Sequence, residues 1–144
     1  MMIFHFKRMV TSMSNPTRED ASLLLQLFGI MMGDSEFRKS WRWVYEELDI
    51  KNYDDFKAKY PLKSEENRMV RTFTGYMEFL GTLVNKGLIS EDLIFDLWGS
   101  LTWEKLEALV YGIRKDMGMP RYLENYEILA KKYQYWVEKN PPKI

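Results

Sequence analysis

No cysteine occurs in the 144 residues, and histidine occurs once, at His5. The first absence removes disulfides, thiol nucleophiles, thiolate zinc sites and iron–sulfur clusters. The second removes histidine-based triads and multi-histidine metal sites. An excess of one charge is missing too: 21 Lys and Arg face 21 Asp and Glu. Nucleic-acid binding needs a basic surface, so nucleic acid is not an expected partner. No apolar run reaches the ~20 residues that span a bilayer. Met1 to Phe6 is cut off by Lys7-Arg8, and Ala21 to Met32 contains Ser22 and Gln26. A secretory signal would place basic residues first and a small-residue cleavage site last, which is not the order here. Residue 2 is Met and the tail Pro-Pro-Lys-Ile has no Cys, so no lipidation signal is visible. A soluble cytoplasmic protein is the expected class. One alternative stays open: residues 1–10 as the stub of a longer anchor, or lying on a membrane surface, so membrane association is conceivable without a spanning segment to support it.

Catalytic signatures are likewise missing. There is no Gly-rich phosphate loop, no Gly-x-Ser-x-Gly elbow and no His-Glu-x-x-His. The stretch Asp49 to Asp54 has the outline of a calcium loop without its central Gly and bidentate Glu, and reads better as a solvated helix start. No cofactor and no metal are expected.

What is present is apolar content at helical spacing. Hydrophobic residues make up 46% and aromatics 15%, enough for a core, while 8 Gly and 5 Pro fall as punctuation. The pattern predicts a helix over 17–32, capped by Asn15 or Thr17, whose apolar face is broad enough for a central helix. Helices at 35–48 (capped by Asp34, buried through Phe37, Trp41, Val44, Tyr45 and Leu48) and 52–60 follow. The longest helix, 64–86, starts at Ser64 and stops at Gly87. Ser90 opens a short one, 91–98, ended by Gly99. Thr102 caps 103–117, with Leu106, Leu109, Val110, Ile113 and Met117 inward, and Gly118 stops it. Pro120 starts the last helix, 120–139, with a stripe through Leu123, Tyr126, Ala130, Tyr133 and Val137. The expected fold is all-α, a single-domain bundle of six or seven helices. Residues 1–15 read as an N-terminal segment, flexible or extended, 16–140 as the helical domain and 141–144 as a tail.

Three features bear on function. The short helix at 91–98 followed by 103–117 has a helix-turn-helix outline, but Glu104 and Glu107 would face phosphates, which is electrostatically wrong. The longest helix carries a polar stripe of Arg71, Thr74, Glu78, Thr82 and Asn85, with Gly75 and Gly81 among them. Each glycine costs the helix ~1 kcal/mol relative to Ala, so another helix or a ligand should approach closely there. A buried Glu78 would then need a cation, with Arg114 and Arg71 as candidates. Finally, Trp43, Ile128 and Tyr135 fall on polar helix faces, where Trp and Tyr serve as interface anchors.

The segment Tyr76-Met77-Glu78-Phe79-Leu80-Gly81, then Lys86-Gly87-Leu88-Ile89, resembles an uncharacterised all-helical prokaryotic family of unknown function. Arg114-x-x-x-Gly118-x-Pro120-x-Tyr122-x-x-Asn125-Tyr126-Glu127-x-Leu129 is similar to it as well. The likeness covers residues 65–130, in the C-terminal half. It implies a helical domain, sometimes attached to a membrane segment, with no assigned activity. The functional expectation is therefore a non-enzymatic helical domain acting through protein–protein association, as a homo-oligomer or with another protein. The alternative is a small-ligand-binding bundle or weak enzyme with Arg71, Glu78 and Arg114 in a polar cleft.

Overall fold

Thr17 begins the first helix by a reciprocal cap. Its hydroxyl accepts from the Asp20 amide at 3.1 Å, and the Asp20 carboxylate accepts from the Thr17 amide at 2.7 Å. In the computed structural model, which describes residues 15–144, this starts α1 (Arg18–Gly33). Six more α-helices follow among the described residues: α2 (Ser35–Glu46), α3 (Tyr53–Lys59), α4 (Glu65–Asn85), α5 (Glu91–Trp98), α6 (Glu107–Met117) and α7 (Glu124–Lys139). The fold is all-α, with no strand among the described residues. Polar caps set most of the starts: Asp34 accepts from the Glu36 and Phe37 amides, Asn52 from Asp55, and Ser64 from Asn67.

The centre of the bundle is α4. It buries Met69, Val70, Phe73, Met77, Leu80 and Val84, with α2 against one side and α7 against the other. Phe37 of α2 stacks on Phe73, ring centroids 6.3 Å apart. From α7, Tyr126 and Leu129 are fully enclosed. The pair α3 and α6 is locked by Gly112, where a Cβ would fall 2.3 Å from the Tyr53 Cβ.

The structure corrects the sequence reading in four places. First, α1 is peripheral, not central. Only Leu27 and Met31 of it are buried, while Leu25 is 72% and Ile30 62% exposed. Second, the predicted helix over 103–117 is broken. Residues Trp103–Lys105 form a 3-10 turn, and Leu101 and Thr102 before it both adopt left-handed φ, 59° and 63°. Thr102 makes no side-chain cap, and the broken element cannot serve as a recognition helix. Third, the last helix starts at Glu124 and not at Pro120, because residues 120–123 form turns and Leu123 has φ 55°. Fourth, Tyr45, Met117 and Val137 are exposed instead of inward, each near a helix end where the stripe leaves the core. Ser90 stands at the start of α5 without a side-chain cap, and its amide donates to Asp20 instead.

Candidate functional site

The polar stripe of α4 has a definite partner, the first turn of α7. Leu123 ahead of that turn has no side chain able to cap it. Glu78 supplies the cap from across the bundle. Its Oε1 accepts from the Asn125 amide at 3.1 Å and from Asn125 Nδ2 at 2.9 Å, and its Oε2 accepts from the Tyr126 amide at 2.9 Å. A carboxylate there satisfies two otherwise orphaned N–H groups and complements the positive end of the helix dipole. Two turns along α4, Asn85 Nδ2 donates to the Asn125 carbonyl at 3.1 Å. Between them lies Gly81, where a Cβ would meet the Asn125 carbonyl oxygen at 2.5 Å. The expectation of a close approach therefore holds at Gly81. At Gly75 nothing among the described residues lies within 4 Å of an added Cβ, and that glycine has no structural explanation.

The expected ion pair of Glu78 with Arg114 or Arg71 is not formed, because α7 amides occupy both carboxylate oxygens. Arg114 instead donates to the Tyr122 carbonyl at 2.7 Å and pairs with Glu127 at 2.7 Å. Tyr111 and Lys131 also donate to Glu127. Burial would push the Glu127 carboxyl up, but the hydrogen bonds from Lys131, Tyr111 and Arg114 outweigh it and hold it at about 2. Arg71 is exposed. Its carbonyl accepts from the Thr74 hydroxyl at 3.3 Å. Both act on Tyr122: burial pushes that hydroxyl up, Thr74 and Arg71 oppose the shift, and the Glu78 charge adds to it. Arg71, Thr74 and Tyr122 line a cleft of about 600 Å³ between α3, α4 and α6, which Glu78 and Arg114 do not reach.

Of the three aromatic and aliphatic candidates, Trp43 is half-buried. Its ring packs edge-on against Tyr60, centroids 5.1 Å apart, beside the core. The helical wheel puts it opposite Trp41, and Tyr60 at the end of α3 packs on that side. Ile128 is half-buried, and Tyr135 is 44% exposed. The Asp49–Asp54 segment is a helix start: Asn52 caps α3 and Asp55 accepts from the Lys51 amide at 2.9 Å. No group of residues able to hold a metal occurs among the described residues.

What the polar candidates lack, α1 has. Residues 21–33 carry no charge, and Leu23, Leu25, Phe28 and Ile30 are 40–72% exposed. Gly29 and Gly33 lie on the same outer face, with nothing among the described residues within 4 Å of an added Cβ at either. The signal was in the sequence, as an uncharged stretch with glycines four apart. Breadth of apolar surface predicts burial, but the same breadth also describes a helix that something else covers. The segment 1–10, for which an anchor stub or a membrane-surface position is expected, lies outside the described residues. Among the described helices none is long and apolar enough to cross a membrane.

Comparison with known proteins gives one result. No curated protein and no solved structure matches the chain. A family profile matches residues 16–133, so the likeness expected for 65–130 runs through α1, α2 and α3 as well. The chain belongs to a family defined as a domain of unknown function, DUF4760.

Proposed function

We propose that the protein works by association with a second copy of itself through the outer face of α1. The observation that carries this is the uncharged stretch 21–33 of α1, lying on the surface of an otherwise well-charged molecule. Leu23, Leu25, Phe28 and Ile30 together leave a little over two side chains' worth of apolar surface in water. Burying it contributes roughly 3–6 kcal/mol per copy, or roughly 6–12 kcal/mol for a symmetric pair. Association costs ~4–15 kcal/mol in lost freedom. The balance is a weak pair, with a Kd of micromolar order or above. Gly29 and Gly33 let two such helices approach closely, as glycines four apart do at other helix crossings.

Charge favours a protein partner over a lipid surface. Around α1 the acidic residues Glu19, Asp20, Asp34 and Glu36 outnumber Arg18 and Arg38. A helix that lies on an anionic membrane is lined by Lys and Arg instead. A pair related by a two-fold axis brings uncharged residues 21–33 of both copies together without opposing like charges.

Sedimentation velocity across a concentration series tests this. The wild type should move from monomer to dimer over the micromolar to hundred-micromolar range. Leu25→Glu with Ile30→Lys should remain monomeric at every concentration with an unchanged thermal midpoint. A wild type that stays monomeric throughout overturns the proposal. So does a dimer that persists in this variant and dissociates instead on changing Ile128 and Tyr135, which would move the interface to α7.

A further inference from the structure

A second cleft, of about 510 Å³, opens between the end of α1, α2, α4 and the turn after α5. That volume is of the size that holds small organic ligands, ~300–1,000 Å³. Its floor is Met31, Phe37, Phe73 and Met77, all buried, and Trp41 and Trp98 form its sides. Methionine and aromatic side chains give a surface that adapts to an irregular apolar body. The wall at Leu101 and Thr102 is a strained part of the backbone, with both residues left-handed. Tyr126 holds it there by donating its hydroxyl to the Leu101 carbonyl. Backbone strain of this kind is retained where the surrounding structure enforces it, and it gathers at ligand sites.

The mouth is cationic. Arg38 and Arg42 stand at it with a single acid, Glu46. Arg38 donates to the Met32 carbonyl. Arg42 makes no hydrogen bond or ion pair with any described residue, Glu46 included. Asp34 lies close enough to Arg38 to feel its charge, so Arg42 is the guanidinium left for a ligand to neutralise. A planar carboxylate matches the guanidinium fork.

We propose that this cleft binds a free amphiphilic carboxylate, its apolar body on the methionine and aromatic floor and its head at Arg42. The test is a titration of the full chain, carrying ¹³C-methyl methionine, with decanoate below its micelle-forming concentration. Saturable shifts should appear at Met31, Met32 and Met77, while Met69, Met117 and Met119 stay in place. Decanol, which has the same chain and no charge, should bind at least tenfold more weakly. Arg42→Gln, at an exposed position, should keep the thermal midpoint of the free protein and lose about tenfold or more in decanoate affinity, the usual scale for one charge-assisted contact. The proposal is overturned by the absence of saturable shifts. Shifts centred on Met117 and Met119, which line the cleft between α3, α4 and α6, also overturn it, as does equal binding of decanol and decanoate or of wild type and Arg42→Gln.

Discussion

Removing the Glu78 carboxylate should loosen the start of α7 and destabilise the whole bundle. The side chain accepts three hydrogen bonds, at 2.9–3.1 Å, from Asn125 and Tyr126. Loss of a helix N-cap typically costs ~0.5–2 kcal/mol, and a charge at a partly buried helix end contributes up to ~2 kcal/mol. Hydrogen bonds to an ionised group are worth ~1.5–3 kcal/mol each, but they are not additive, and water can replace part of them at a half-buried site. About 3 kcal/mol is therefore expected for Glu78→Ala. Glu78→Gln keeps one acceptor oxygen, loses the charge and turns an NH₂ toward a backbone amide, which should cost about 1–2 kcal/mol. At roughly 3–4 °C per kcal/mol for a chain of this size, the thermal midpoint falls by roughly 9–12 °C and 3–8 °C respectively. Urea unfolding should show a lower midpoint with an unchanged slope. Amide exchange should accelerate first at Asn125 and Tyr126. Glu124→Ala on the same turn removes only the outward Arg121 pair and should cost less than ~1 kcal/mol. A Glu78→Ala protein within 1 kcal/mol of wild type, or a Gln variant as damaged as the Ala variant, would refute the capping argument.

Other expectations rest on separate contacts. Glu127 has its folded carboxyl held at about 2, below the ordinary 4.5. Its contribution is therefore complete above pH ~4.5 and lost as the pH falls toward 2, amounting to ~3 kcal/mol at most. Acid unfolding of Glu127→Gln should be correspondingly flatter across that window, and an unchanged slope would count against the network. Lys132 is 5% exposed, with Nζ 3.7 Å from Glu91 Oε2. Burial pushes the Glu91 carboxyl up, and Lys132 opposes that. Lys132→Ala should cost about 3–5 kcal/mol, and Lys132→Met with Glu91→Gln should recover most of it in a denaturant titration. Gly81→Ala drives a methyl into the Asn125 carbonyl and should cost ~1–3 kcal/mol or more. Gly75→Ala meets open space and should stabilise by ~0.5–1 kcal/mol, both read by thermal midpoint.

The sequence by itself determined the helical class and most of the helix ends. Those depend on local chemistry: Asp34 and Ser64 as caps, and Gly87, Gly99 and Gly118, whose positive φ of 61–74° an L side chain rarely adopts. It also carried the tight approach at Gly81 as an unexplained cost within α4. Tertiary structure decided the rest. Glu78 finds its partners 47 and 48 residues away, on backbone amides that no side-chain pattern encodes. The same lack of a local cap moved the start of α7 to Glu124 and left Arg114 for Glu127 instead of Glu78. Residues 101–103 break the 103–117 pattern because Tyr126, packed from another helix, holds the Leu101 carbonyl in place. Periodicity shows that a face is apolar but not what covers it. Trp43, on a polar face, packs against Tyr60, while α1, apolar on nearly every side, buries only Leu27 and Met31 fully, with Leu24, Phe28 and Met32 at the edges of the contact.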